Sequence, residues 1–216
     1  MEKIRVKLIV FDLDGTLADS LPDLTAAANY VCRRLGLPEH PASDIREMIG
    51  GGEKTFVSRF IGEENQRLYP QAMDLYLEYY FQHCGDQTRL YPGVKETLEA
   101  FSDKHLAVLS NKMERFTRRQ LEVLGIAHLF AAIKGGDSYH TLKPSSQGLA
   151  ALIQELGRMP AETLMVGDKP ADILAGKGAG AHTLAVTYGY GEPEVLKAAA
   201  PDAIIPAFPC LRDLID

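Results

Sequence analysis

The sequence predicts an α/β fold: a parallel sheet whose strands alternate with helices, interrupted after the first strand by an all-helical insert. Three observations carry this. Apolar runs such as Leu8–Phe11 show no alternation, as strands buried on both faces do. From Leu90 onward such runs alternate with stretches of helical periodicity, the pattern of right-handed crossovers between parallel strands. Between Thr16 and Arg89 no strand pattern occurs, only apolar residues at helical spacing divided by glycine and proline.

The first strand, Leu8–Phe11, stops at Asp12-Leu13-Asp14-Gly15-Thr16. Two carboxylates at the end of a buried strand are costly unless they meet a cation or do chemistry. Asp19-Ser20-Leu21-Pro22-Asp23 starts a helix, with a cap residue and a proline near the first turn. That helix covers 24–35 and ends at Gly36-Leu37-Pro38. A short helix over 43–49 runs into Gly50-Gly51-Gly52, and helices over 53–60 and 63–83 follow. Tyr91-Pro92-Gly93 is a turn and 94–102 a short helix. The strand His105–Leu109 ends at Ser110-Asn111-Lys112, and a helix over 115–124 is closed by Gly125. A short strand is predicted over 131–134 and a helix over 145–156, just after Lys143-Pro144. The strand over 163–166 ends at Gly167-Asp168, followed by a helix over 171–179 that carries Asp172. Strands over 183–186 and at Ala203–Ile205 complete the sheet.

Composition narrows the function. The 216 residues are 46% hydrophobic and 24% charged, enough for a sizeable core. The net charge of -6 argues against nucleic acid or an anionic membrane as the partner, although one cation can reverse the field in a single cleft. Three scattered cysteines, with no Cys-x-x-Cys, suggest neither a disulfide framework nor a zinc site. The six histidines show no ligand spacing. The charged start and short first apolar run read as a strand, not a signal peptide, and nothing approaches the roughly 18 apolar residues of a membrane span. The expected compartment is the cytoplasm, and the expected state a monomer or homodimer.

In open parallel sheets ligands bind outside the carboxyl ends of the strands, where Asp12/Asp14, Ser110/Asn111 and Asp168/Asp172 converge. The set suits phosphoryl transfer, which needs positioning and charge neutralisation above all. A carboxylate such as Asp12 can attack phosphorus. Asp14 can protonate the leaving alcohol and later deprotonate water. Ser110 and Asn111 offer short polar donors to phosphate oxygens, and Lys143 a positive charge. Asp12 and Asp168 make a hard-oxygen site for Mg²⁺, with Asp172 one helical turn further on, behind the ligands.

Asp12-Leu13-Asp14-Gly15-Thr16, Ser110-Asn111-Lys112, Lys143-Pro144 and Gly167-Asp168…Asp172 together resemble, in order and context, the four motifs of the haloacid dehalogenase superfamily. Leu17-Ala18-Asp19-Ser20 and Tyr91-Pro92-Gly93-Val94 are similar to its phosphoglycolate-phosphatase branch. The resemblance implies a Rossmann-like core over 1–17 and 89–216, with a helical cap over 18–88. It implies a Mg²⁺-dependent phosphatase acting on a small phosphorylated metabolite, 2-phosphoglycolate being the first to test. Asp12 would be nucleophile and metal ligand, Asp14 acid/base and a metal ligand through its carbonyl, and Asp168 a metal ligand. Thr16, Ser110, Asn111 and Lys143 would meet the phosphoryl group. A sugar-phosphate mutase resembling β-phosphoglucomutase, or a pyrophosphatase or nucleotidase, would share these motifs. Lys169 departs from the serine common in relatives, and either competes for Asp172 or points to solvent. Gly50-Gly51-Gly52 is either a bare helix–helix turn or a loop presenting backbone N–H groups and Lys54 to the leaving group. Arg46 and Arg59 are expected to be surface charges.

Overall fold

The computed structural model describes residues 3–216. The chain runs β1 (Leu8–Phe11), β2 (Ala18–Asp19), α1 (Leu21–Leu35), α2 (Ala42–Met48), α3 (Gly52–Ile61), α4 (Tyr69–His83) and β3 (Arg89–Leu90). It continues through α5 (Val94–Ala100), β4 (His105–Leu109), α6 (Glu114–Val123), β5 (Ala132–Lys134), α7 (Gln147–Glu155) and β6 (Thr163–Gly167). Last come α8 (Pro170–Gly178), β7 (His182–Val186), α9 (Pro193–Ala198), β8 (Ala203–Ile205) and α10 (Leu211–Leu214).

Six strands form one parallel sheet in the order β5-β4-β1-β6-β7-β8. All four residues of β1 are fully buried, as an unalternating apolar strand at the middle of a two-faced sheet should be. After β1 the chain builds β4 and β5 on one side, then returns to build β6, β7 and β8 on the other. The strand order therefore reverses at β1, and a crevice opens there beyond the carboxyl ends. Phe11 pairs in register with Val108 of β4 and Val166 of β6, which brings the residues after all three strands to one rim. One face of the sheet buries Ile9, Phe11, Val108 and Val166 beneath α5 and α6, and the other buries Leu8, Val10 and Met165 beneath α7.

The helices α1 to α4 pack around a cluster of their own, with Val31, Ile45, Phe56, Phe60, Tyr76 and Tyr80 buried in it. Phe116 of α6 enters this cluster edge-on to Tyr80, with ring centroids 5.2 Å apart. The helix predicted over 63–83 is two pieces, a 3-10 segment Glu63–Leu68 and then α4. Pro70 has no N–H to continue a ladder from the preceding turn and sits in the first turn of α4, where none is needed. The two-residue strands β2 and β3 had no sequence signal. They pair antiparallel, Ala18 with Leu90 and Asp19 with Arg89, where the chain enters and leaves the helical segment.

Candidate active site

Asp12 follows β1 directly, and its N–H continues the ladder to the Val166 carbonyl at 2.9 Å. Lys143 reaches the same point from the segment before α7. Its buried ammonium lies 2.9 Å from Asp12 Oδ1 and 2.7 Å from Asp172 Oδ1, and donates to the Leu109 carbonyl at 2.6 Å. Burial works against the Lys143 charge, but Asp12 and Asp172 offset it and hold the ammonium above its ordinary range. Its peptide bond to Pro144 is cis.

Asp12, Asp168 and Asp172 each offer a carboxylate oxygen within 4.8 Å of the others. Lys143 pairs with two of these acids, and Lys169 acts on the third, Asp168, only through its field. Burial, opposed by Lys143 and reinforced by Asp172 and Asp14, pushes Asp12 up to about 6. Burial, with Asp12 and Asp172 adding to it, pushes Asp168 up to about 7. A hard divalent cation would supply the charge this oxygen set lacks, so the residues fit Mg²⁺. Asp172 belongs to this cluster, with its Oδ1 on Lys143 and its Oδ2 accepting from Lys169 N–H at 3.0 Å. The Asp14 carboxyl stands outside it.

Asp14 is held elsewhere. Its Oδ1 takes a short hydrogen bond from Ser20 Oγ and pairs with Lys112 Nζ at 2.6 Å. Lys112 is itself buried and donates to Tyr80 Oη at 2.8 Å and Gln120 Oε1 at 2.5 Å. The sequence nominated no role for Lys112, although it completes the Ser110-Asn111-Lys112 motif. Nothing local signals a partner 98 residues away.

Two other expectations change. Thr16 was expected at the phosphoryl group, but it is fully buried outside the cavity. Its hydroxyl donates to Asp168 Oδ1 at 3.3 Å, and its carbonyl accepts from Tyr188 Oη. The Thr16 hydroxyl is thus turned toward the Asp168 carboxylate. The Asn111 side chain is also committed. Its Nδ2 donates to the Gly50 and Lys143 carbonyls at 2.8 and 2.9 Å, and its Oδ1 accepts from Lys143 N–H at 2.9 Å. That amide brackets the Lys143 backbone and has no donor left for phosphate. Ser110 lines the cavity, and among the described residues its Oγ accepts only from Lys112 N–H, at 3.3 Å.

The cavity over these groups is about 50 Å³ and is closed on the far side by Leu24, Ile49, Phe56 and Tyr76. The loop before α3 supplies Gly50 and Gly52 to its wall, while Lys54 is exposed and points elsewhere. Lys169 neither competes for Asp172 nor points to solvent. Its backbone N–H donates to Asp172 Oδ2 at 3.0 Å, capping α8, and its ammonium makes a short hydrogen bond to the Ile49 carbonyl. Buried Glu53 accepts from Met113 N–H with both oxygens, at 3.0 and 2.9 Å. Burial pushes that carboxyl up to about 7 against the lowering effects of the Met113 N–H and Lys112. Arg46 is not a free surface charge: it donates to the Gly189 and Tyr190 carbonyls at 2.7 and 3.3 Å. Tyr190 Oη in turn accepts from Ser20 and Leu21 N–H at the start of α1, while its own N–H holds Asp168 Oδ2 at 2.7 Å.

Comparison with known proteins agrees with this geometry. The family model described as haloacid dehalogenase-like hydrolase matches residues 9–186. A phosphoglycolate phosphatase of Vibrio vulnificus strain YJ016 is 37% identical over 100% of this chain and 98% of its own length. One from Vibrio cholerae is 38% identical over 92% of each. A crystal structure from Haemophilus somnus, described as a predicted phosphoglycolate phosphatase, superposes with a TM-score of 0.90 at 32% identity, covering 96% of this chain and 97% of that one. With the acids, lysines and hydroxyls of all four motifs gathered at one rim, the chain belongs to the haloacid dehalogenase-like hydrolase family and is an enzyme of its phosphoglycolate-phosphatase-like branch, a phosphoric monoester hydrolase.

Proposed function

We propose that the chain hydrolyses 2-phosphoglycolate, or a closely similar small phosphomonoester, through a phosphoryl group carried transiently on Asp12. The observation that carries this is Asp12 on the wall of the cavity, salt-bridged to Lys143 and grouped with Asp168 and Asp172. Asp12 Oδ attacks phosphorus as the bond to the alcohol oxygen breaks, and Asp14 gives that oxygen its proton. Asp14 then takes a proton from the water that attacks the acyl phosphate, releasing inorganic phosphate and regenerating Asp12. Lys143 and Ser110 hold the phosphoryl oxygens. Asp12 and Asp168, with the Asp14 carbonyl, would hold Mg²⁺, with Asp172 behind them, and the ion would neutralise charge on the transferring group. Residues 18–88 act as a cap domain over a core of 1–17 and 89–216, keeping bulk water away while the phosphoryl group moves to Asp12. In this reading the enzyme is cytoplasmic and works as a monomer or homodimer.

Phosphate release from 2-phosphoglycolate tests the proposal. It should require Mg²⁺, stop on adding EDTA, and fall by about three orders of magnitude or more in Asp12→Asn. Turnover retained in Asp12→Asn would remove the nucleophile assignment.

A further inference from the structure

Three lysines line the cavity, and their charges are spent differently. Lys143 pairs with Asp12 and Asp172, and Lys112 with Asp14. Lys169 has no carboxylate of the described residues within ion-pairing distance, and its ammonium meets only the Ile49 carbonyl. An ammonium carries three donors, so two are left beside the cavity. The rest of the far wall is apolar at Leu24, Ile49 and Phe56, and its polar groups are the Tyr76 hydroxyl and the Glu53 carboxyl, whose oxygens are both held by Met113 N–H.

From this we infer that Lys169 is the specificity-determining residue for the leaving group: it binds a carboxylate on the short alcohol arm of the substrate, so that the site selects small anionic phosphomonoesters over neutral ones. This rests on the phosphatase reading above and deepens it. The phosphoryl end is handled by groups on the rim of the sheet, and a second negative charge has Lys169 to meet, the lining lysine that makes no direct ion pair among the described residues. The Ile49 carbonyl belongs to the loop that closes the cavity, so the contact that aims the ammonium is also a contact between the helical segment and the core. Substrate charge and closure are then read by one side chain. Replacing that side chain spares the start of α8, because the bond to Asp172 comes from the Lys169 backbone N–H.

The test compares 2-phosphoglycolate with 2-hydroxyethyl phosphate, an ester of similar size without the carboxylate, in saturating Mg²⁺. The wild type should prefer the carboxylate ester in kcat/KM. Lys169→Met should shrink that preference ten- to hundredfold, mainly through KM for 2-phosphoglycolate, as loss of one charge-assisted contact does. Lys169→Arg should restore most of it. An equal loss on both esters would show that Lys169 only positions the loop, and would overturn the inference, as would a wild type that hydrolyses both esters without preference. Hydrolysis of neither by the wild type would instead remove the phosphatase reading, and this inference with it.

Discussion

Lys112 joins the site to the point where the chain leaves the helical segment. From Asp14 the contacts run through Lys112 to Gln120, from Gln120 Nε2 to Thr88 Oγ1 at 3.3 Å, and from Thr88 Oγ1 to Asp23 Oδ2 at 2.7 Å. Every side chain in this line is buried, so each must find its partner inside the protein. Lys112→Met leaves the Asp14 carboxylate without its cation in a closed site. Removal of one partner from a buried pair costs about 3–5 kcal/mol, and urea unfolding of the metal-free protein should show a loss of that order. In an Asp14→Asn background the same replacement should cost clearly less, since no stranded charge remains. Equal costs in the two backgrounds would show that Lys112 does not serve Asp14. At this scale the sequence discloses what is local. Asp12 and Asp14 follow a strand and announce themselves by expense. The commitments of Lys112, Thr16 and Asn111 depend on groups that only the tertiary fold brings near, and side-chain type alone did not reveal them.

Among the elements, α3 begins under a tight backbone constraint. Gly52 has φ +75°, and a Cβ there would stand 2.9 Å from the Asn111 carbonyl oxygen. Both the left-handed backbone and the close approach favour glycine. Gly52→Ala should cost about 1–2 kcal/mol and push the loop off the rim. Thermal unfolding should register the loss, and KM for the phosphate ester should rise while Gly36→Ala, at a position with open space around it, leaves KM unchanged. The strands and most helices were readable because burial on both faces and helical periodicity leave distinct patterns. The exceptions have physical reasons. Pro70 breaks a helix whose apolar pattern runs through it, and β2 and β3 are too short to show any period, being fixed by each other.

Across the whole molecule, polar contacts tie the helical segment to the core: Glu53 to Met113, Arg46 to Gly189 and Tyr190, Lys169 to Ile49, and Asn111 to Gly50. Glu53 makes the closed arrangement sensitive to pH. Its folded value of about 7 lies above its ordinary 4.5, so the folded state holds a proton that the unfolded chain has released. Stability from this group is therefore present at low pH and declines as pH rises from about 4.5 to about 7. Glu53→Gln keeps an acceptor for Met113 N–H and never ionises. Its stability relative to wild type should improve by about 2 kcal/mol between pH 5 and pH 8, measured by urea unfolding at both. A difference independent of pH would contradict the assignment. The two-residue ladder of β2 and β3 has a consequence for inheritance. It fastens the way in and the way out of the helical segment side by side, so the sheet sees the insertion as one wide hairpin. Loop length then costs the core little, growing only with the logarithm of the residues added. Lineages can therefore lengthen, trim or exchange the helices at this neck while the rim residues stay in register, and new substrates can be acquired without re-inventing the reaction.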